Sequence, residues 1–173
     1  MKLSALKLTT LFLILTASQT FSQEKKECPC CSSEYSQFDY WVGEWDVFDT
    51  TGTKVGSNII TKLEDGCLLK EQWTSTGKHT GTSYNFYNRT DKSWNQIWVD
   101  NQGTVLDLKG ELINGAMTLK SSLVKNKDGE NIYHRIAWHQ QKDGSVMQVW
   151  GVVHEDGKVL SNLFKGQYKK VKK

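Results

Sequence analysis

From Glu44 onward, hydrophobic and polar residues alternate in short runs, and each run is closed by Gly, Asn or Asp. A strand sends successive side chains to opposite faces, so each alternating run reads as one strand. About ten candidates result, near residues 44–50, 54–63, 67–74, 79–88, 93–100, 103–113, 116–124, 130–140, 145–153 and 158–170. The punctuation between them includes Asn114-Gly115, Lys127-Asp-Gly129, Lys142-Asp-Gly144 and Glu155-Asp-Gly157, and such pairs supply the positive φ angles of tight hairpins. All connections are short, so consecutive strands should pair antiparallel. A helical turn or two is expected only within Ser32 to Trp41. An open sheet of this size would leave bare edges, which closure removes. The expectation is an all-β chain, a single antiparallel up-and-down barrel of about ten strands with a short N-terminal helical plug.

The alternation also sorts polar residues into rows. Trp94, Gln96, Trp98 and Asp100 share one face of their strand, Ser83, Asn85 and Tyr87 share a face of the preceding one, and Glu71 and Trp73 share a face before that. Gln148 and Trp150 repeat the pairing of amide and indole late in the chain. If these rows share the concave side of one sheet, they line a cavity for a polar ligand. In residues 131–139 one face holds Tyr133, Arg135, Ala137 and His139, and the other Ile132, His134, Ile136 and Trp138. The first face is the candidate for chemistry, because Arg135 could clamp a carboxylate and His139 could move a proton near neutral pH. The alternative puts Ile132, Ile136 and Trp138 in the core and leaves Arg135 and His139 solvated. His79, at a strand start beside a turn, reads as exposed.

Composition fits one compact domain: the 173 residues are 38% hydrophobic, with a single proline. Residues 1–22 carry two lysines, an apolar core from Leu8 to Leu15, and small or polar residues before Gln23, which is the layout of a cleavable secretory signal. The remaining organisation is an N-terminal segment, 23–43, with a cysteine cluster, and a barrel domain, 44–173. Removing residues 1–22 lowers the formal charge from +3 to +1, 20 basic against 19 acidic residues, so nothing points to nucleic acid. No mature segment approaches the ~20 apolar residues of a membrane helix. Export favours disulfides among Cys28, Cys30, Cys31 and Cys67, with Cys67 joined to one of the cluster. A thiolate metal site is the lesser alternative, and no metal or cofactor is expected.

Gly43-Glu-Trp45, at the start of the first strand after a helical turn, resembles the calycin superfamily of lipocalins and fatty-acid-binding proteins. The resemblance implies that Trp45 closes the barrel floor, with Lys165, Lys169 or Lys170 lying over it. The longer strings Phe38 to Val47, Gly81 to Tyr87 and Trp94 to Asp100, with Trp73, are similar to a family of exported bacterial proteins that has a lipocalin-like barrel and no defined activity.

No Gly-x-Ser-x-Gly elbow, His-Glu-x-x-His helix or phosphate loop is present. Ordinary lipocalin cavities are mainly apolar, whereas these rows hold Glu71, Asn85, Gln96 and Asp100, which suits a saccharide: aromatic faces for its C–H surfaces, amides and carboxylates for its hydroxyls. In setting, the chain resembles exported oligosaccharide dehydratases of marine Bacteroidetes polysaccharide systems, which eliminate water from a terminal uronic acid. On that resemblance Arg135 would neutralise the uronate, and His139, Tyr87 and Glu71 would handle protons. Trp73, Ser83, Asn85, Trp94, Gln96, Trp98, Asp100, Tyr133, Gln148 and Trp150 would bind the sugar. The rival expectation is a periplasmic binding barrel for a sugar, haem or a small apolar molecule, with His134, His139 and His154 as conceivable haem ligands.

Overall fold

The computed structural model describes residues 28–172; the expected signal peptide at 1–22 and residues 23–27 lie outside them. Two short 3-10 turns, Ser33–Ser36 and Asp39–Trp41, precede the strands. These are β1 (Gly43–Phe48), β2 (Lys54–Leu63), β3 (Leu68–Ser75), β4 (Thr80–Asn88), β5 (Ser93–Asp100), β6 (Val105–Ile113), β7 (Ala116–Lys120), β8 (Val124–Lys125), β9 (Asn131–Gln140), β10 (Val146–His154) and β11 (Val159–Lys170). Every pairing is antiparallel, and β11 pairs with β1, so ten strands close a barrel while β8 adds a short rung to one edge of β9. The turn chemistry works as expected at Asn114-Gly115, where φ is 50° and 80°, the left-handed pair that a two-residue hairpin needs.

The expected strand 116–124 is split. Its ladder stops at Lys120 because Ser121 takes over from the regular pairing: its backbone N–H donates to the His134 carbonyl (2.9 Å), and its Oγ accepts from the His134 N–H (3.0 Å). The chain then leaves the sheet and returns as β8.

One end of the barrel is sealed by the N-terminal segment. Phe38 stacks on Trp41 at 4.8 Å and meets Trp94 and Trp138 edge-on at 5.7 and 5.2 Å. All four rings are buried, and aromatic burial of this extent dominates a core energetically. Three polar tips fasten the seal, while the buried Trp41 and Trp138 indole N–H groups have no partner among the described residues. Trp45 Nε1 donates to the Trp41 carbonyl (2.8 Å), Trp94 Nε1 to Gln37 Oε1 (3.1 Å), and the Tyr40 hydroxyl to the Trp138 carbonyl (2.7 Å). Burial pushes the Tyr40 phenol up to about 12, which keeps it a donor. Trp45 is fully buried at the floor, and of the three candidate lysines it is Lys170 whose ammonium lies 5.0 Å over its ring.

Disulfides reinforce the seal. Cys30 bonds Cys67, tying the plug to the β2–β3 turn, and Cys28 bonds Cys31. Lys62 and Asp39, 2.7 Å apart, add an ion pair between the same two segments. All four cysteines are consumed in this way, which leaves no thiolate for a metal. The bridges are compatible with an exported protein, and among the described residues no helix is long and apolar enough to cross a membrane.

Candidate functional site: an aromatic well over a polar relay

The unsealed end opens into a cavity of ≈ 330 Å³, inside the size range of small-molecule sites. Its walls are aromatic: Trp73 of β3, Trp98 of β5, Trp150 of β10 and Phe164 of β11, with Trp138 and Ile136 of β9 deeper. Strand alternation puts them there, since each belongs to the inward row of its strand. Three inward glycines give the rings room. A Cβ on Gly56 would lie 2.4 Å from Trp73, one on Gly81 2.7 Å from Trp98, and one on Gly166 2.6 Å from Phe164, so each ring occupies space that any other residue at those positions would fill.

Beneath the rings runs a chain of hydrogen bonds between side chains. Gln96 Nε2 donates to Asn85 Oδ1 (2.7 Å), Asn85 Nδ2 to Ser83 Oγ (2.8 Å), and the Ser83 hydroxyl to Glu71 Oε2 (2.6 Å). From the other side Asn58 Nδ2 donates to Glu71 Oε1 (2.7 Å) and, more weakly, to the Tyr168 oxygen (3.4 Å), while the Tyr168 hydroxyl donates to Gln148 Oε1. Six strands contribute, and all seven side chains are buried. Leaving such groups unpaired would cost about 1–3 kcal/mol each, which the mutual bonding avoids except at Asn58 Oδ1, which is buried without a partner among the described residues. Burial pushes the Glu71 carboxyl up, against the opposing pull of Ser83 and Asn58. Burial, and then the neighbouring Glu71, push the Tyr168 phenol well up.

Two histidines attend the well. His79 lines its mouth, and its Nε2 lies 3.0 Å from Asp100 Oδ2. Burial raises the Asp100 carboxyl, but hydrogen bonds from His79 and from the Thr104 and Gln102 backbone outweigh it and hold the group at about 2. His134 accepts the Trp150 indole N–H at 3.0 Å through Nδ1, and burial lowers its pKa, so the ring is held as a neutral acceptor.

The rows expected on β3, β4, β5 and β10 do face inward. Glu71, Trp73, Gln96, Trp98, Gln148 and Trp150 line the cavity, Ser83 and Asn85 lie beneath it in the relay, and Asp100 stands behind His79 at the mouth. Tyr87 and Trp94 also point inward but at the sealed end, where Tyr87 packs edge-on against Tyr35 at 5.4 Å and Trp94 bonds Gln37. Neither reaches the well. On β9 the chosen face is the wrong one: Ile136 and Trp138 are buried in the core, so Tyr133, Arg135 and His139 point outward. Arg135 and His139 instead line an outer groove with Asn114 and Asn162, and Tyr133 lies under the Lys120 ammonium, 5.9 Å from its ring centroid. The reason is burial energy. Turning the strand over would exchange Ile and Trp for Arg and His inside, giving up ~1.5–3 kcal/mol per apolar side chain and leaving a charge to desolvate.

Asn58, Phe164 and Tyr168 are absent from the residues expected from sequence, and His79, expected to be exposed, lines the mouth of the cavity. The in-phase triplets Gly56, Asn58, Ile60 and Phe164, Gly166, Tyr168 were the available signal. Among the described residues no group of three His, Cys, Asp or Glu side chains converges as metal ligands. Of the conceivable haem ligands, His134 is engaged by Trp150, His139 is outside, and His154 sits 3.0 Å from Asp156.

Fold and site together define a closed antiparallel β-barrel, compatible with a lipocalin-like fold, that carries an internal cavity at one end. Compared with known proteins, the chain matches no protein-family model and no curated protein.

Proposed function

We propose that the protein is an exported binding barrel that takes up one compact organic molecule through the open end of the well. The observation that carries this reading is the well itself: rings on four strands surround an unfilled space above a hydrogen-bonded relay. A folded core would ordinarily fill such a space to close packing. The polar groups are arranged to orient a ligand, because the relay fixes the rotamers of Gln96 and Gln148 at opposite ends of the floor. Titration with the neutral fluorophore phenylnaphthylamine tests the reading. Saturable enhancement at one probe per protein, weakened in Trp98→Ala, is expected; identical enhancement in the two proteins would refute a site in the well.

A second reading keeps the saccharide chemistry. His79, oriented by Asp100 at the mouth, has the arrangement of a proton-transfer group, and an oligosaccharide dehydratase built on this cavity would use His79 where His139 was expected. It would have to hold the uronate by neutral donors such as Gln148, since no Lys or Arg lines the well. Incubation with uronate-ended oligosaccharides, followed through the ultraviolet absorbance of a new conjugated double bond, tests it. Loss of that signal in His79→Ala is the expected result; no signal in the wild-type protein would eliminate the reading.

A further inference from the structure

The four wall rings come in two corner pairs. Trp73 and Phe164 stand at 70° with centroids 6.2 Å apart, and Trp98 and Trp150 at 69°, also 6.2 Å apart. Each pair meets edge to face on the wall of the space they share, and ring faces carry the negative end of the aromatic quadrupole. At the base of that space sits Glu71, an acid whose polar neighbours are the neutral Asn58 and Ser83. The nearest basic groups are engaged elsewhere, His79 with Asp100 and His134 with Trp150. Among the described residues no Lys or Arg lines the well, so an anion would meet no fixed counter-charge there, whereas a cation would meet aromatic rings and the Glu71 carboxyl.

Resting on the reading of the well as a ligand site, we propose that its ligand class is a compact alkylated ammonium, held as a cation between the rings of Trp73, Trp98, Trp150 and Phe164 above Glu71. Alkylation follows from the hydrogen bonding. Both Glu71 oxygens already accept, from Asn58 at 2.7 Å and Ser83 at 2.6 Å, so an N–H donor gains little at the floor. A methylated nitrogen needs no acceptor and presents its charge through C–H groups to the ring faces. The glycine seats at Gly56, Gly81 and Gly166 support the same geometry, because they let three of the rings lie back against the wall and leave the centre clear.

The test compares choline with its neutral carbon isostere, in which a tert-butyl group replaces the trimethylammonium, as competitors of bound phenylnaphthylamine on the full chain. Shape and hydroxyl are common to both, so a difference reports the charge. Choline is expected to bind about ten to thirty times more tightly, the range that cation–π contacts reach when desolvated. Trp150→Leu should shrink the preference, and so should Glu71→Gln. Equal binding of the two competitors by the wild-type protein, or tighter binding of the isostere, would overturn the proposal without requiring any variant to fold. If the fluorophore binds at one per protein and neither competitor displaces it, the ammonium class is wrong while the binding reading stands. If the fluorophore itself fails to bind, the binding reading fails first.

Discussion

Replacing Glu71 by Gln separates the cost of a buried acid from the value of its hydrogen bonds. In the fold the carboxyl is raised above its ordinary 4.5 by burial, whereas in the unfolded chain it ionises near that ordinary value. Between the two values the unfolded state has released a proton that the native state still holds. Stability therefore falls as pH rises through this window, by about 1.4 kcal/mol per pH unit, is fully present below the lower value, and levels off above the upper one. The glutamine side chain would keep an oxygen for Asn58 and a polar partner for Ser83 without titrating. The two proteins should agree to within about 1 kcal/mol below the window, and the variant should gain progressively in relative stability as pH rises through the window and keep that advantage above it. Urea unfolding at half-unit intervals from mildly acidic to neutral pH, fitted with a common slope in denaturant, measures the difference directly. Taking the difference is necessary because His134 acts in the opposite sense: burial depresses its pKa, so its contribution is lost as pH falls. That contribution is common to both proteins and cancels. Parallel curves across the range would refute the reasoning, since they would mean that Glu71 ionises in the fold as it does in water.

Three further outcomes are expected. Cys67→Ser should lose about 4 kcal/mol by the loop-closure relation for a sequence separation of 37, read as a lower urea midpoint under oxidising conditions; an unchanged midpoint would show that the bridge does not hold the plug. Gly81→Ala should cost about 1–3 kcal/mol by overpacking against Trp98 and weaken phenylnaphthylamine binding as the indole is forced into the well, whereas full binding would place the ring elsewhere. Arg135→Ala should leave probe binding unchanged and stability within about 0.5 kcal/mol, and a tenfold loss of affinity would put the guanidinium in the site after all.

Much of the barrel is legible in the sequence because its two signals, alternation and turn glycines, are local. β2 and β5 begin and end where the pattern places them, and the row Trp94, Gln96, Trp98 needs only the pleat of one strand to be read as a unit. The inward face of a strand is a different kind of fact. On β9 both faces hold aromatic and basic residues, and the choice is made by the core, where Trp138 meets Phe38 and Trp41 of the plug. Those partners lie far away in the chain. The same applies to the relay: Asn58, Glu71 and Tyr168 are unremarkable singly, and their bonding follows from which strands lie side by side once the sheet has closed. His79 looks exposed because it flanks a turn, and only the position of Asp100 across the mouth draws it inward. The break at Ser121 escapes the pattern because a serine fits an alternating run as well as it ends one.

Closure has a consequence for the order in which the molecule can form. Trp45 lies opposite Lys170 in the register that joins the first strand to the last, a pairing that no hairpin can nucleate, and non-local pairings of this kind slow folding. The hairpins from β2 to β6 carry short-range registers and can form early. Until β11 arrives, however, β1 and β10 each keep an open edge, and open edges recruit other chains. The Cys30–Cys67 bridge needs only residues that precede β3, so oxidation can anchor the plug before the barrel is complete. Tyr168, the link between Asn58 and Gln148, comes last, and with it the floor of the well is assembled only in the final step of folding.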